Sequence, residues 1–153
     1  MTEHRSSLLA GRNRAPLTPD QIRRASTTFL GLDNTVNVRY EEATRTVFCI
    51  VRSESGEEYG EIVFGPDIYP GSSVIDPNSA LSLRAAVAHE LSHYHRWKNM
   101  MSLSEDSQEY LDEALTSLEA IHRYKRHLDD TDVQQLISDA MQRLQLYIST
   151  LTG

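Results

Sequence analysis

The segment His89-Glu90-Leu91-Ser92-His93 combines residue types and a spacing that suit a metal ion. In a helix, residues four apart lie one turn above each other, so His89 and His93 can direct two ring nitrogens at one ion. Glu90, which lies between them, can then reach a water molecule bound to that ion. Two histidines and a carboxylate in this order are typical of zinc hydrolases, with the glutamate as general base.

A catalytic zinc ion takes three protein ligands and keeps one position for water, so a third ligand is needed. A short polar gap, 102–104, separates the motif helix from the next helical segment. If this gap joins two antiparallel helices, Glu113 lies at the level of His93, because both are equally far from it. Small side chains beside Glu113 would let the two helices approach closely: Thr116, Ser117 and Ala120. We therefore predict that His89, His93 and Glu113 bind one Zn²⁺ ion.

These residues resemble the zincin metallopeptidases of the gluzincin kind. The resemblance rests on His89-Glu90-Leu91-Ser92-His93 followed by Asp112-Glu113-Ala114-Leu115-Thr116-Ser117, and it covers roughly residues 85–120. The spacing from His93 to Glu113 is similar to that of thermolysin-type enzymes, while the small size and the Glu-Ala pair resemble the ImmA/IrrE-type peptidases. The resemblance implies a zinc-dependent peptidase with Glu90 as general base and a protein or peptide as substrate.

The sequence departs from the family pattern at one position. Thermolysin-type enzymes carry an aspartate four residues after the glutamate ligand, where it orients a zinc-bound histidine, but this chain has Ser117 there. The histidine must then be oriented by Ser117 itself or by a backbone carbonyl. The pattern also leaves the residue that stabilises the oxyanion open. The candidates by chemistry are Tyr94, His95, Tyr110 and Tyr124.

The hydrophobic pattern predicts an α+β fold with a small antiparallel sheet packed against about four helices, and the resemblance implies that this fold is zincin-like. Thr18 is predicted to cap a first helix that ends near Leu32, with Gln21 completing a capping box. We expect strands at 35–40, 45–52 and 58–64, the last two forming a hairpin, and strand 58–64 is the predicted edge for an added substrate strand. A plain sheet edge is the alternative. Helices are expected at 79–101, 105–128 and after 129–131, the last with its apolar stripe in the core.

Composition places the chain among ordinary globular proteins, with 153 residues, 39% hydrophobic and 24% charged. Residues 1–17 are predicted to be a flexible basic tail and residues 18–153 a single domain. No apolar run is long enough to cross a bilayer, and nothing beyond the basic tail suggests a nucleic-acid partner. The single cysteine and the lack of an apolar secretory segment predict a cytoplasmic protein.

Three alternative functions stay open. Glu90-x-x-His93 and Glu119-x-x-His122 are the paired element of di-iron carboxylate bundles, although such bundles are all-helical and need further glutamates. Peptide deformylases add an upstream cysteine ligand to H-E-x-x-H, but Cys49 lies within a predicted strand and lacks the sequence context of that family. A zincin fold could also serve as a catalytically silent binding module. The intact Glu90 argues against this last alternative.

Overall fold

The computed structural model describes residues 2–6, 11–71 and 80–152. Within them the chain has an α+β architecture, with four α-helices packed against a small mixed sheet. The strands are β1 (Thr2–Ser6), β2 (Asn37–Tyr40), β3 (Val47–Arg52) and β4 (Glu58–Phe64). The helices are α1 (Pro19–Leu32), α2 (Leu83–Lys98), α3 (Glu109–Tyr124) and α4 (Asp130–Thr152). Short 3₁₀ turns cover Pro66–Ile68 and Asp106–Gln108.

The sheet has the strand order β1-β3-β4-β2. β3 and β4 form the predicted antiparallel hairpin, in which Cys49 faces Glu61. β2 pairs with β4 in parallel, so the prediction of an all-antiparallel sheet is wrong. The reason is that β4 inserts between β3 and β2, and both of its neighbours in the sheet precede it in the chain. The prediction that strand 58–64 is an edge for substrate is wrong for residues 61–64, which pair with β2, whereas residues 58–60 pair with β3 alone among the described strands.

Part of the predicted N-terminal tail is paired with the domain. The backbone of residues 2–6 runs antiparallel to β3, from the pair Thr2 and Val51 to the pair Ser6 and Val47. Further along, the Arg12 guanidinium donates to the carbonyl oxygens of Asp67, Ile68 and Leu81, at 2.9, 2.9 and 2.5 Å. These partners lie more than forty residues away in sequence, so composition alone does not reveal them.

α1 begins as predicted, and α2 passes through the centre of the molecule. Thr18 Oγ1 accepts from the Gln21 amide at 3.2 Å and Gln21 Oε1 accepts from the Thr18 amide at 2.9 Å, which completes the capping box. Every residue from Ala85 to His93 is buried. A helix buried on all sides needs neighbours around it, and α2 packs against α1, α3, α4, β3 and β4. Its two histidines therefore lie within the core rather than on a surface.

The apolar stripe predicted for α4 is only partly in the core. Leu136 and Ala140 are buried, whereas Met141 is 57% and Ile148 is 55% exposed. Polar residues occupy much of the buried face of this helix instead: Asp132, Gln135, Asp139 and Arg143. The helix is rotated so that these groups meet hydrogen-bonding partners on its neighbours. None of the helices in the described ranges combines the length and apolarity that crossing a bilayer requires.

Candidate metal centre

The hairpin of α2 and α3 brings His89, His93 and Glu113 together. Glu113 Oε2 lies 3.0 Å from His89 Nε2 and 2.9 Å from His93 Nε2. All three residues are buried, and one ligand atom from each lies within 4.8 Å of the others. Ligand atoms in tetrahedral coordination about 2 Å from one ion are about 3.3 Å apart. The three side chains are therefore close enough to hold a metal ion.

The donor set fits a divalent transition metal. Two imidazole nitrogens and one carboxylate oxygen are ligands that zinc takes readily. Glu113 Oε1 is buried and has no hydrogen-bond partner among the described residues, so this oxygen has no other role within that part of the chain. A buried carboxylate oxygen without a partner is costly, and a cation would remove that cost.

The protonation states in this region are those that ligation requires. Burial raises the pKa of Glu113, but attraction to His93 and the close contacts of its carboxylate with both histidine rings outweigh it and hold the pKa below its ordinary value. Burial lowers the pKa of His89, against its contact with the Glu113 carboxylate, which raises it. An anionic carboxylate and a neutral imidazole are the forms that bind a metal.

Glu90 is fully buried next to His89 in the same helix. Burial, followed by the charge of Glu113, raises the pKa of the Glu90 carboxyl well above its ordinary value. A carboxyl group whose pKa is raised by burial holds a proton more readily than an exposed carboxyl group does, which suits it to proton transfer.

Two side chains of α4 complete the surroundings of the three ligands. Arg143 Nη1 lies 3.2 Å from Glu113 Oε2, and Arg143 Nε donates to Asp139 Oδ2 at 2.8 Å. Ser117 Oγ lies 2.8 Å from His89 Nδ1 and donates to Asp139 Oδ2 at 2.6 Å. Ser117 therefore contacts His89, as a residue that orients this histidine would have to do.

Thr116 and Asp112 lie on the other side of the centre. Thr116 Oγ1 donates to the Asp112 carbonyl at 2.7 Å and is 3.4 Å from His93 Nδ1. Asp112 Oδ1 accepts from Arg96 Nη2 and from the Leu103 amide, both at 2.9 Å. These bonds fix the start of α3 against the end of α2, which sets the level at which Glu113 meets His93.

A cavity of about 350 Å³ opens beside His93. Its walls are half apolar and half polar, and the Phe48 ring lies parallel to the His93 ring at 6.4 Å between centroids. The lining residues are Phe48, Ile50, Glu58, His93, Trp97, Met100, Ser102 and Ser104. A space of this size can hold one large side chain of a bound molecule.

The tyrosines and the histidine considered for the oxyanion have other surroundings. The Tyr94 ring packs against Phe48 and Trp97, and Tyr110 is 39% exposed at the start of α3. His95 Nε2 is hydrogen-bonded to Asp33 Oδ2 at 2.5 Å. Tyr124 is buried, and burial raises the pKa of its hydroxyl group. Over the described ranges, none of the four has a hydrogen bond to His89, His93 or Glu113.

Sequence reasoning missed Asp139 and Arg143. Both lie in an apparently ordinary amphipathic helix, and oppositely charged residues four apart in a helix commonly form an ion pair at the surface. The signal that could have revealed them is their position in line with Leu136 and Ala140, the buried residues of α4. Charged residues on the core side of a helix require partners within the protein.

The residues of the alternative metal sites do not join this centre. His122 is exposed and Glu119 pairs with Arg123 at 3.4 Å. Cys49 is buried with Val47 and Val63 in a separate apolar cluster, and burial raises the pKa of its thiol to about 11. Across residues 2–6, 11–71 and 80–152, His89, His93 and Glu113 are the one group of three such side chains close enough to share an ion.

Comparison with known proteins adds no relative. The chain matches no family model, no curated protein and no solved structure. The function is therefore inferred from the geometry of His89, Glu90, His93 and Glu113.

Proposed function

We propose that this protein is a zinc-dependent metallopeptidase with a zincin-like fold of the gluzincin kind. One observation carries the proposal: His89 Nε2, His93 Nε2 and Glu113 Oε2 converge in the core, with the buried Glu90 between the two histidines in sequence. Zinc is the favoured ion because two imidazoles, one carboxylate and an open position are typical of its catalytic sites. The lone buried cysteine is consistent with a cytoplasmic location.

Each of the four residues has a defined task in this proposal. His89, His93 and Glu113 hold the ion, which when bound supplies a Lewis acid that lowers the pKa of water to about 7. Glu90 accepts the proton that water loses and passes it to the leaving amine. The cavity beside His93 receives a side chain of the substrate next to the bond that is cut. We propose one specific protein or peptide target, because the site is enclosed rather than set in a wide cleft.

A silent zinc-binding module is the second candidate, and the burial of the ligands favours it. His89 is 0%, Glu113 1% and His93 2% exposed, and structural zinc sites are closed in this way. A structural site has no physical need for a carboxylate at Glu90, since that side chain does not have to contact the ion. The two candidates thus differ in what a substitution of Glu90 does.

The deciding experiment compares the wild type with Glu90→Gln. Both proteins are purified with zinc, their metal content is measured by mass spectrometry, and cleavage of a diverse peptide library is followed. We expect one zinc per chain in both proteins, cleavage by the wild type, and a loss of at least about 100-fold for the variant. Glu119→Gln, a neutralised carboxylate on α3, is the matched control and retains activity.

The outcomes separate the candidates. Stoichiometric zinc without cleavage by either protein would favour the binding module. Purified protein that takes up no zinc would remove both candidates. Equal cleavage by wild type and Glu90→Gln would leave a peptidase in which Glu90 is not the base.

A further inference from the structure

We propose that Asp139 on α4 is a positioning residue for the metal centre, acting on His89 through the hydroxyl group of Ser117. This inference rests on the proposed metal site, but it concerns residues of a third helix that the H-E-x-x-H pattern does not include. It explains why α4 buries two charged side chains, Asp139 and Arg143.

The hydrogen bonds define the direction of the connection. A serine hydroxyl has one hydrogen to donate, and Ser117 Oγ donates it to Asp139 Oδ2 at 2.6 Å. Its contact with His89 Nδ1 at 2.8 Å must then use a lone pair of Ser117, so His89 donates from Nδ1. An imidazole with its proton on Nδ1 has its lone pair on Nε2, and Nε2 is the atom that faces Glu113. Asp139 therefore selects the form of His89 that can bind a metal.

Burial makes this connection rigid. Ser117 is 0% and Asp139 is 6% exposed, so solvent does not compete for their hydrogen bonds. Arg143, which is 2% exposed, donates to Asp139 from Nε and to Glu113 from Nη1. The Arg143 guanidinium thus contacts both Asp139, which orients His89, and Glu113, the proposed carboxylate ligand of the metal ion. Removing Asp139 or His89, the two ends of this series of hydrogen bonds, leaves buried polar groups without a partner.

α4 also carries a natural control for this role. Asp132 is buried, and its Oδ1 accepts from Ser82 Oγ at 2.6 Å, the same distance as between Asp139 and Ser117. Ser82 is the N-cap of α2, and its hydroxyl accepts from the Ala85 amide rather than from a histidine. The two aspartates match in chemistry and burial, whereas the serines differ: Ser117 is buried and contacts His89, and Ser82 is partly buried and contacts a backbone amide.

The test measures zinc affinity by competition with a chromophoric chelator. We expect Ser117→Ala and Asp139→Asn each to bind zinc about 10–100-fold more weakly than the wild type. Asp132→Asn should bind zinc as the wild type does. Ser92→Ala, which removes a buried hydroxyl with no hydrogen-bond partner among the described residues, should also leave affinity unchanged. Thermal unfolding of all four variants without metal checks that they are folded.

A double-mutant cycle distinguishes positioning from general loss of structure. If Asp139 acts through Ser117, Asp139→Asn weakens zinc binding in the wild type but adds nothing further in the Ser117→Ala background. Additive losses, or an unchanged affinity in Asp139→Asn, would overturn the proposal. The cycle does not depend on peptide cleavage, so it can succeed even if the protein is not a peptidase.

Nuclear magnetic resonance of the metal-free protein gives a readout that needs no zinc. We expect the His89 ring to carry a proton on Nδ1 that is protected from exchange, and this protection should be lost in Ser117→Ala. A His89 ring without a proton on Nδ1 would contradict the proposed hydrogen bonding, whatever the zinc affinities are.

Discussion

One oxygen of Glu113 contacts three groups that can carry positive charge: the Nε2 atoms of both histidines and Nη1 of Arg143. A buried carboxylate is tolerated only with such partners, since the isolated charge costs several kcal/mol, on the order of the desolvation of an ion. The same arrangement explains why the pKa of Glu113 falls although burial opposes it. The negative charge of Glu113 is thus offset by several partners, and the effect of each partner can be measured by substituting it alone.

Arg143→Met removes the guanidinium and keeps a side chain of similar length. We expect the metal-free protein to lose about 3–5 kcal/mol in its free energy of unfolding, because Glu113 and Asp139 both lose a buried partner. Urea unfolding in the presence of a chelator measures this. Arg123→Met breaks the partly exposed pair with Glu119 and should cost less than about 1 kcal/mol. Equal effects of the two substitutions would contradict the buried network.

The raised pKa of Glu90 predicts a dependence of stability on pH. Its folded-state pKa lies above the unfolded value, so its contribution is fully present below the unfolded pKa and is lost as pH rises through the folded pKa. Glu90→Gln cannot ionise, and we expect its melting temperature without metal to exceed that of the wild type increasingly as the pH is raised above the ordinary carboxyl range. A difference in melting temperature that does not change with pH would show that burial does not raise the pKa of Glu90.

Zinc retention should fall in acid because protons compete for the imidazoles. Burial lowers the pKa of His89, so this ligand stays neutral to a lower pH than an exposed histidine would. Glu113 keeps its charge throughout, since its pKa is below the ordinary value. We expect zinc affinity to be constant near pH 8 and to decrease below about pH 6.5. An affinity that does not change between about pH 5 and about pH 8 would rule out histidine ligands.

At the scale of elements, the antiparallel pairing of α2 and α3 could be predicted from the sequence, because helical periodicity and a short connection fix it. His93 and Glu113 are equally far from Leu103, and so are His89 and Ser117, which are also in contact. The parallel pairing of β2 and the buried face of α4 could not be predicted. Both depend on which distant element lies next to them, and local patterns carry no information about that.

The loop that leads from β4 into the Pro66–Ile68 turn offers a test of the fold. A Cβ atom added at Gly65 would lie 1.9 Å from the Thr44 carbonyl oxygen, which is backbone and cannot move aside easily. We expect Gly65→Ala to destabilise the protein by about 1–3 kcal/mol. In α1, Gly31 has nothing within 4 Å of an added Cβ, so Gly31→Ala should stabilise by up to about 1 kcal/mol. Chemical denaturation of both variants checks the opposite signs.

At the scale of the whole molecule, the candidate metal centre and the hydrophobic core share one helix. Val87 and Leu91 of α2 belong to the main apolar cluster, while His89 and His93 in the same two turns face Glu113. An unfolded chain has no preformed site, so the free energy of metal binding adds to the free energy of folding. A metal ion bound at this centre would therefore stabilise the fold, and the fold would stabilise its binding.

Added zinc should raise the melting temperature of the whole domain. At a free concentration about 1,000 times the Kd, linkage predicts about 4 kcal/mol of added stability. Differential scanning calorimetry of the wild type with and without zinc measures this, and Glu113→Ala should respond much less. A wild-type transition that zinc does not shift would show that the three side chains bind no ion in the folded state.

The position of Cys49 has a practical consequence for such measurements. The chain has one cysteine, and in the folded protein it is 3% exposed with a thiol pKa of about 11. Alkylating reagents attack thiolates, so iodoacetamide should modify this residue only when the sheet opens. The rate of alkylation then reports the opening of the domain without any introduced label, and it can be followed in crude extracts as well as in purified samples.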